Sequence, residues 1–110
     1  YRRAYHVAGS WTTWEAKPMA RSPDEQGVWM TSLQLGVTGE EEFQILRDGD
    51  WSQVLHPATE RAARTSVPVC GPDAAGVGKH WLVSGRQGER ATIRLQISDG
   101  DIVVQVALAT

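Results

Sequence analysis

The 110 residues carry 11 Lys and Arg against 13 Asp and Glu, a net charge of -2 with the two signs interspersed; a nucleic-acid binder would show a basic stripe to offset phosphate repulsion, so that class is excluded. The length suits one domain, residues 1–110, with one core, and the single cysteine, Cys70, excludes an intrachain disulfide scaffold while being compatible with a reducing compartment. No apolar stretch approaches the roughly 20 residues of a membrane-spanning helix, Tyr1-Arg2-Arg3 is no signal peptide, and the first residue is not Met, which points to a domain cut from a longer protein.

Strand periodicity dominates the chain, and no long segment keeps an apolar 3.6-residue period. A first strand is predicted over 4–8, followed by the turn-like Gly9-Ser10-Trp11-Thr12-Thr13-Trp14 and a polar loop through Pro18 and Pro23 to Gly27. Over 28–35, Trp29, Leu33 and Leu35 share one face with Thr31, the pattern of a half-buried strand. After a turn at 36–39, residues 42–47 alternate, with Phe43 and Ile45 on one side and Gln44 on the other. Asp48-Gly49 signals a tight turn, because Gly tolerates positive φ and Asp bonds its own backbone. Trp51 therefore falls at or just past a hairpin tip, ahead of a strand over 52–55 that His56-Pro57 ends.

The stretch 58–78, with Val67-Pro68-Val69 inside it, reads as mostly irregular. A short strand is predicted over 79–84 and a clean alternation over 91–97, and Ser98-Asp99-Gly100 closes a hairpin onto a last strand over 101–108. About seven short strands separated by turn residues predict an all-β, antiparallel β-sandwich. Its core is expected from Val7, Trp29, Leu33, Phe43 and Ile45 in the first half, and from Trp81, Ile93, Leu95, Val104 and Val106 in the second.

Catalytic chemistry finds little support. His6, His56 and His80 stand far apart, lack metal-ligand spacing and read as surface or turn residues. Cys70 reads as a small semi-buried thiol, because the sequence places no activating base beside it. Asp48 and Asp50 flank a hairpin glycine, which accounts for Asp48 without a glycosidase role. Gly76-Val77-Gly78-Lys79 lacks the remaining residues of a phosphate loop and leads into a strand. The expectation is a non-enzymatic chain that needs no metal or cofactor.

Five tryptophans are the unusual feature. Trp29 and Trp81 alternate with apolar neighbours and read as core. Trp14 and Trp51 lie in turn-rich segments where periodicity does not dictate burial, and exposed aromatics mark binding surfaces. Trp11 either joins them or plugs the end of the sandwich.

At this point the residues resemble a known family. Val7-Ala8-Gly9-Ser10-Trp11-Thr12-Thr13-Trp14, then Met19 and Gly27-Val28-Trp29, is similar to the opening of starch- and glycogen-binding modules, and Glu42-Phe43-Gln44-Ile45-Leu46-Arg47-Asp48-Gly49-Asp50-Trp51 resembles a second segment of theirs, familiar from the glycogen-binding domain of the AMP-activated kinase β subunit. The resemblance covers the first half of the chain. It implies an immunoglobulin-like β-sandwich and a non-catalytic carbohydrate-binding module in which Trp14 and Trp51 form the platform for an α-glucan. Gln44, where the family commonly has a sugar-contacting Lys, and Lys17 become candidate hydrogen-bonding neighbours, with Trp11 as a further candidate. Trp11 replaces the usual Phe and the Thr12-Thr13 pair replaces Asn-rich positions. The implied partners are an α-glucan poly- or oligosaccharide and other domains of a parent protein, with nucleic acid and membrane excluded. The competing reading is a protein-interaction or structural β-sandwich that keeps the aromatic patch and has lost sugar binding.

Overall fold

Apolar side chains at alternate positions need a second apolar surface to cover them, and here two antiparallel sheets cover each other. The structure, a computed structural model, describes residues 3–63 and 68–109. Its strands are β1 (Tyr5–Gly9), β2 (Lys17–Pro18), β3 (Ala20–Arg21), β4 (Val28–Gln34), β5 (Glu40–Arg47), β6 (Val54–Pro57), β7 (Val69–Asp73), β8 (Trp81–Ser84), β9 (Arg90–Ser98) and β10 (Asp101–Leu108). The larger sheet runs β2-β1-β5-β6-β7 with β8 also paired to β5, and the smaller runs β10-β9-β4-β3. No α-helix occurs among the described residues; a single 3-10 turn spans Ser10–Thr12. The expected all-β sandwich is therefore borne out.

The core lies between the sheets. Val7, Phe43, Ile45 and Trp81 from the larger sheet meet Trp29, Leu33, Ile93, Leu95 and Val104 from the smaller, all buried, with Val106 packed against them half-buried. Phe43 stacks on Trp81 at 5.3 Å between ring centroids and Tyr5 meets Trp29 edge-on at 4.6 Å. Each large apolar side chain removed from water in this way contributes about 1.5–3 kcal/mol before the cost of ordering it.

Three features depart from the sequence reading. The described residues form ten strands where about seven were expected, the additions being the two-residue β2 and β3 and the whole of β7. β7 falls in the stretch read as irregular, and its Gly71 and Pro72 hide it: the pairing with β6 shifts register between Val54↔Asp73 and His56↔Cys70. β6 runs on through His56 and Pro57, so His56 is not a turn residue but only 3% exposed. Val67, assigned with that irregular stretch, lies outside the described residues.

β5 is the spine on which the candidate site is built. One edge pairs with β1 over its last five residues, from Gly9↔Phe43 to Tyr5↔Arg47. The other edge forks, because Glu40 to Phe43 pair with β8 whereas Ile45 and Leu46 pair with β6. Gln44 sits at the fork. Its side chain points away from the core, onto an outer face where Ala8, Leu46 and Val54 form a second small cluster with Trp14 and Ala16 packed against it.

Candidate functional site

Three loops stand over that outer cluster. The first follows β1: after the 3-10 turn, Thr13 and Trp14 both adopt left-handed backbone, φ 51° and 62°. Non-glycine residues pay about 1–2 kcal/mol for that conformation, and the surroundings hold it. The Trp14 N–H donates to the Gly9 carbonyl at 2.9 Å and Glu15 N–H to the Thr12 carbonyl at 3.1 Å. The Thr12 hydroxyl accepts from the Gly9 N–H at 3.1 Å. The chain is thereby folded back so that the Trp14 indole lies on the outer cluster.

The second loop is the β5–β6 hairpin. Asp48 (φ 57°) and Gly49 (φ 65°) supply two left-handed residues in succession, as a type I′ turn requires, and the Asp50 N–H closes it onto the Arg47 carbonyl at 3.1 Å. A second turn follows at once, closed by Gln53 N–H to Asp50 carbonyl at 2.9 Å. The Asp50 carboxylate clamps it by accepting from the Ser52 N–H at 2.8 Å and the Ser52 hydroxyl at 2.7 Å. Trp51 sits on this second turn, 49% exposed, so the hairpin tip found from the sequence does project it.

The third loop, residues 74–80, joins β7 to β8 and is tied down from below. Its anchor is His56, whose Nε2 lies 2.9 Å from Asp73 Oδ1 and whose Nδ1 lies 2.9 Å from the Pro57 carbonyl oxygen. Asp73 Oδ1 also accepts from the Ala75 N–H at 2.9 Å. Gly76 lies so close over the imidazole that a Cβ there would stand 2.7 Å from His56 Cδ2, so only glycine fits. From the fork in β5, Gln44 Nε2 donates to the carbonyls of Gly76 and Lys79, the latter at 2.9 Å.

Between these loops lies a groove of about 370 Å³ lined by Trp14, Trp51, Gln44, Val54, His80 and residues 74, 76, 77 and 78. Trp14, Trp51 and Gln44, singled out from the sequence, are brought together. Gln44 is nevertheless 4% exposed, and its amide protons hold the loop. Lys17 and Trp11 are not among the lining residues. Lys17 projects from β2 and pairs with Glu15 at 3.0 Å. Trp11 meets Phe43 edge-on at 6.3 Å and packs against the core, the end-plug alternative.

Among the lining residues that sequence reasoning did not single out, His80 alone carries a polar side chain. Read as a surface or turn residue, it is half-buried, with its ring 4.4 Å from that of Trp14 at 33°. The groove is otherwise mostly apolar, and Val77 at the loop tip is 91% exposed.

A larger cleft, about 890 Å³, lies elsewhere, lined by Arg3, Tyr5, residues 21–26, Trp29 and Ile97. Its indole, Trp29, is only 7% exposed, with the Arg21 guanidinium 5.5 Å over the ring, which leaves little aromatic face to stack on. Cys70, His56 and Asp73 also come together, since Cys70 is the register partner of His56. Both imidazole nitrogens face Asp73 and Pro57, so neither is placed to take a thiol proton.

The carboxylates that set these loops respond to acid. The Ser52 hydrogen bonds hold Asp50 below the ordinary carboxyl value of 3.8, and the Ala75 N–H, followed by His56, does the same for Asp73. The Ala4 N–H and Arg3 likewise lower Asp48. A folded-state value below the unfolded one means that the unfolded chain takes up protons first, so the stability these groups contribute is complete above about pH 4 and is lost as pH falls. Denaturation followed from pH 6 to pH 2.5 is expected to show that fall, with Asp73→Asn and Asp50→Asn each flattening it; an unchanged slope in both variants would contradict the assignment.

Neither a family model, nor a curated protein, nor a solved structure matches this chain, so the functional reading stands on the residues of the groove.

Proposed function

We propose that this chain is a non-catalytic carbohydrate-binding module that takes an α-glucan across the groove between Trp14 and Trp51. The observation that supports it is the meeting, in one groove, of two tryptophans from separate loops, the pair matched by the resemblance to starch- and glycogen-binding modules. The C–H-rich face of a glucose ring stacks on an indole, and a polar group nearby fixes its hydroxyls. An open groove with few polar groups gives weak binding, with Kd of roughly 10 μM to 1 mM. Salt should change it little, because stacking and neutral hydrogen bonds are hardly screened.

Maltoheptaose is to be titrated while tryptophan emission is followed, alongside pull-down on insoluble starch and glycogen with cellulose as control. Saturable binding in that range, with retention on starch or glycogen, is the expected result. No saturable change up to about 10 mM, beyond the weakest affinity allowed above, would remove the proposal.

One observation favours a second reading, a protein-interaction module using the same patch. Gln44 stands where the family commonly has a sugar-contacting Lys, and its amide bonds the protein's own Gly76 and Lys79. Failure on every glucan, with the groove intact, would favour that reading.

A further inference from the structure

Two polar side chains line the groove: Gln44, whose amide protons hold the loop, and His80, which is built in with more care than a surface histidine needs. His80 Nδ1 lies 3.2 Å from Glu42 Oε1. Glu42 is itself held, because its Oε2 accepts from Arg61 Nη1 at 2.7 Å, and Arg61 Nη2 donates to Glu40 Oε1 at 3.3 Å. The backbone is clasped at the same point, with Ala62 N–H donating to the His80 carbonyl and Leu82 N–H to the Ala62 carbonyl, both at 2.9 Å. Residues 61 and 62, which no sequence motif covers, thus fix both the ring and the main chain of His80.

A carboxylate can only accept, so in the neutral imidazole Glu42 selects the His80 tautomer that carries its proton on Nδ1. That leaves the Nε2 lone pair, which bonds no group among the described residues, on a ring that lines the groove beside the Trp14 indole. We propose that His80 Nε2 is a hydrogen-bond acceptor of the groove, taking a hydroxyl proton from a sugar ring seated between it and the exposed Trp51, with Glu42 and Arg61 as positioning residues. The inference rests on the glucan reading and narrows it. The ligand is a neutral, hydroxyl-bearing chain, because a uronate would bring its carboxylate towards Glu42 and towards an acceptor nitrogen.

Two measurements test it. The first compares maltoheptaose binding by wild type, His80→Phe, which keeps an aromatic ring on Trp14 and lacks the nitrogen, and Glu42→Ala. His80→Phe is expected to bind about three- to tenfold more weakly, the worth of one net hydrogen bond, with Glu42→Ala weakened by a smaller factor. The second needs no variant: the imidazole nitrogens of the wild type are followed by long-range proton–nitrogen NMR. The free protein is expected to show the Nδ1–H tautomer at His80, and the Nε2 resonance is expected to move as maltoheptaose is added. An oligogalacturonate of similar length is expected to leave it unmoved.

A His80 Nε2 signal unmoved at saturation, or His80→Phe binding as tightly as wild type, overturns the assignment of His80 and leaves the glucan reading standing. Tight binding of the galacturonate overturns the neutral-ligand selectivity. Absence of any maltoheptaose binding by the wild type removes both.

Discussion

Trp81→Ala is expected to be the most destabilising single substitution among the tryptophans. The side chain is fully buried, stacked on Phe43, and placed where β8 joins β5. Truncating a buried Trp removes its transfer free energy and leaves a cavity, together about 3–5 kcal/mol. Against the 5–15 kcal/mol of a typical small domain that is a large share, and it lowers Tm by on the order of 15 °C or more. Trp81→Phe supplies the control. The indole Nε1 is buried with no hydrogen-bond partner among the described residues, so Phe keeps the stack while removing an unsatisfied donor, and it is expected to cost far less than Ala. Urea or thermal denaturation of the two variants decides the matter; equal losses would mean that the stack with Phe43 contributes little.

Removing both groove indoles is expected to give the largest loss of binding. If each stacked ring supplies on the order of 1–1.5 kcal/mol, as aromatic pairs do, either single truncation weakens glucan binding about tenfold. The double variant Trp14→Ala/Trp51→Ala then loses about a hundredfold, if the two add, which carries Kd to roughly 1 mM or beyond. The singles differ in what else they disturb. Trp51 stands on a surface turn held by Asp50 and Ser52, so Trp51→Ala should leave stability within about 0.5 kcal/mol. Trp14 packs on Ala8, Leu46 and Val54, so its truncation also loosens the outer cluster; Trp14→Gly removes the ring while relieving the left-handed backbone. Titration of all three with maltoheptaose reads the result. Retained affinity in the double variant, with saturable binding by the wild type, would place the ligand elsewhere on the molecule.

What the sequence revealed follows the range over which its signals act. Period-two alternation in 91–97 and 101–108, with Asp99-Gly100 between them, is a local signal and gave the β9–β10 hairpin. Asp48-Gly49 did the same for the turn ahead of Trp51. The burial of His56, the place of His80 in the groove and the hold of Gln44 on the loop were out of reach because their surroundings are assembled from distant chain. The acceptors of Gln44 are carbonyls of residues 76 and 79, the cover over His56 is the backbone of Gly76, and the partners of His80 are Glu42 and, through it, Arg61. None of these relations has a periodicity. β7 was hidden for a related reason: its Gly71 and Pro72 spell a loop, and it is a strand only because β6 is there to pair with it.

β5 is buried on both of its faces, Phe43 and Ile45 towards the core and Gln44 and Leu46 away from it. In most half-exposed strands a slip by one residue is forbidden because it would throw the apolar set into water. Here the slip would exchange one buried set for another, and hydrophobic patterning alone would object mainly to turning an amide inward. Two polar devices are left to enforce the alignment: the left-handed pair Asp48-Gly49, which fixes how β5 meets β6, and the Gln44 amide, which finds its two carbonyls only when the strand lies where it does. The residue that closes the groove from beneath is therefore also the one that keeps the central strand in step with its neighbours.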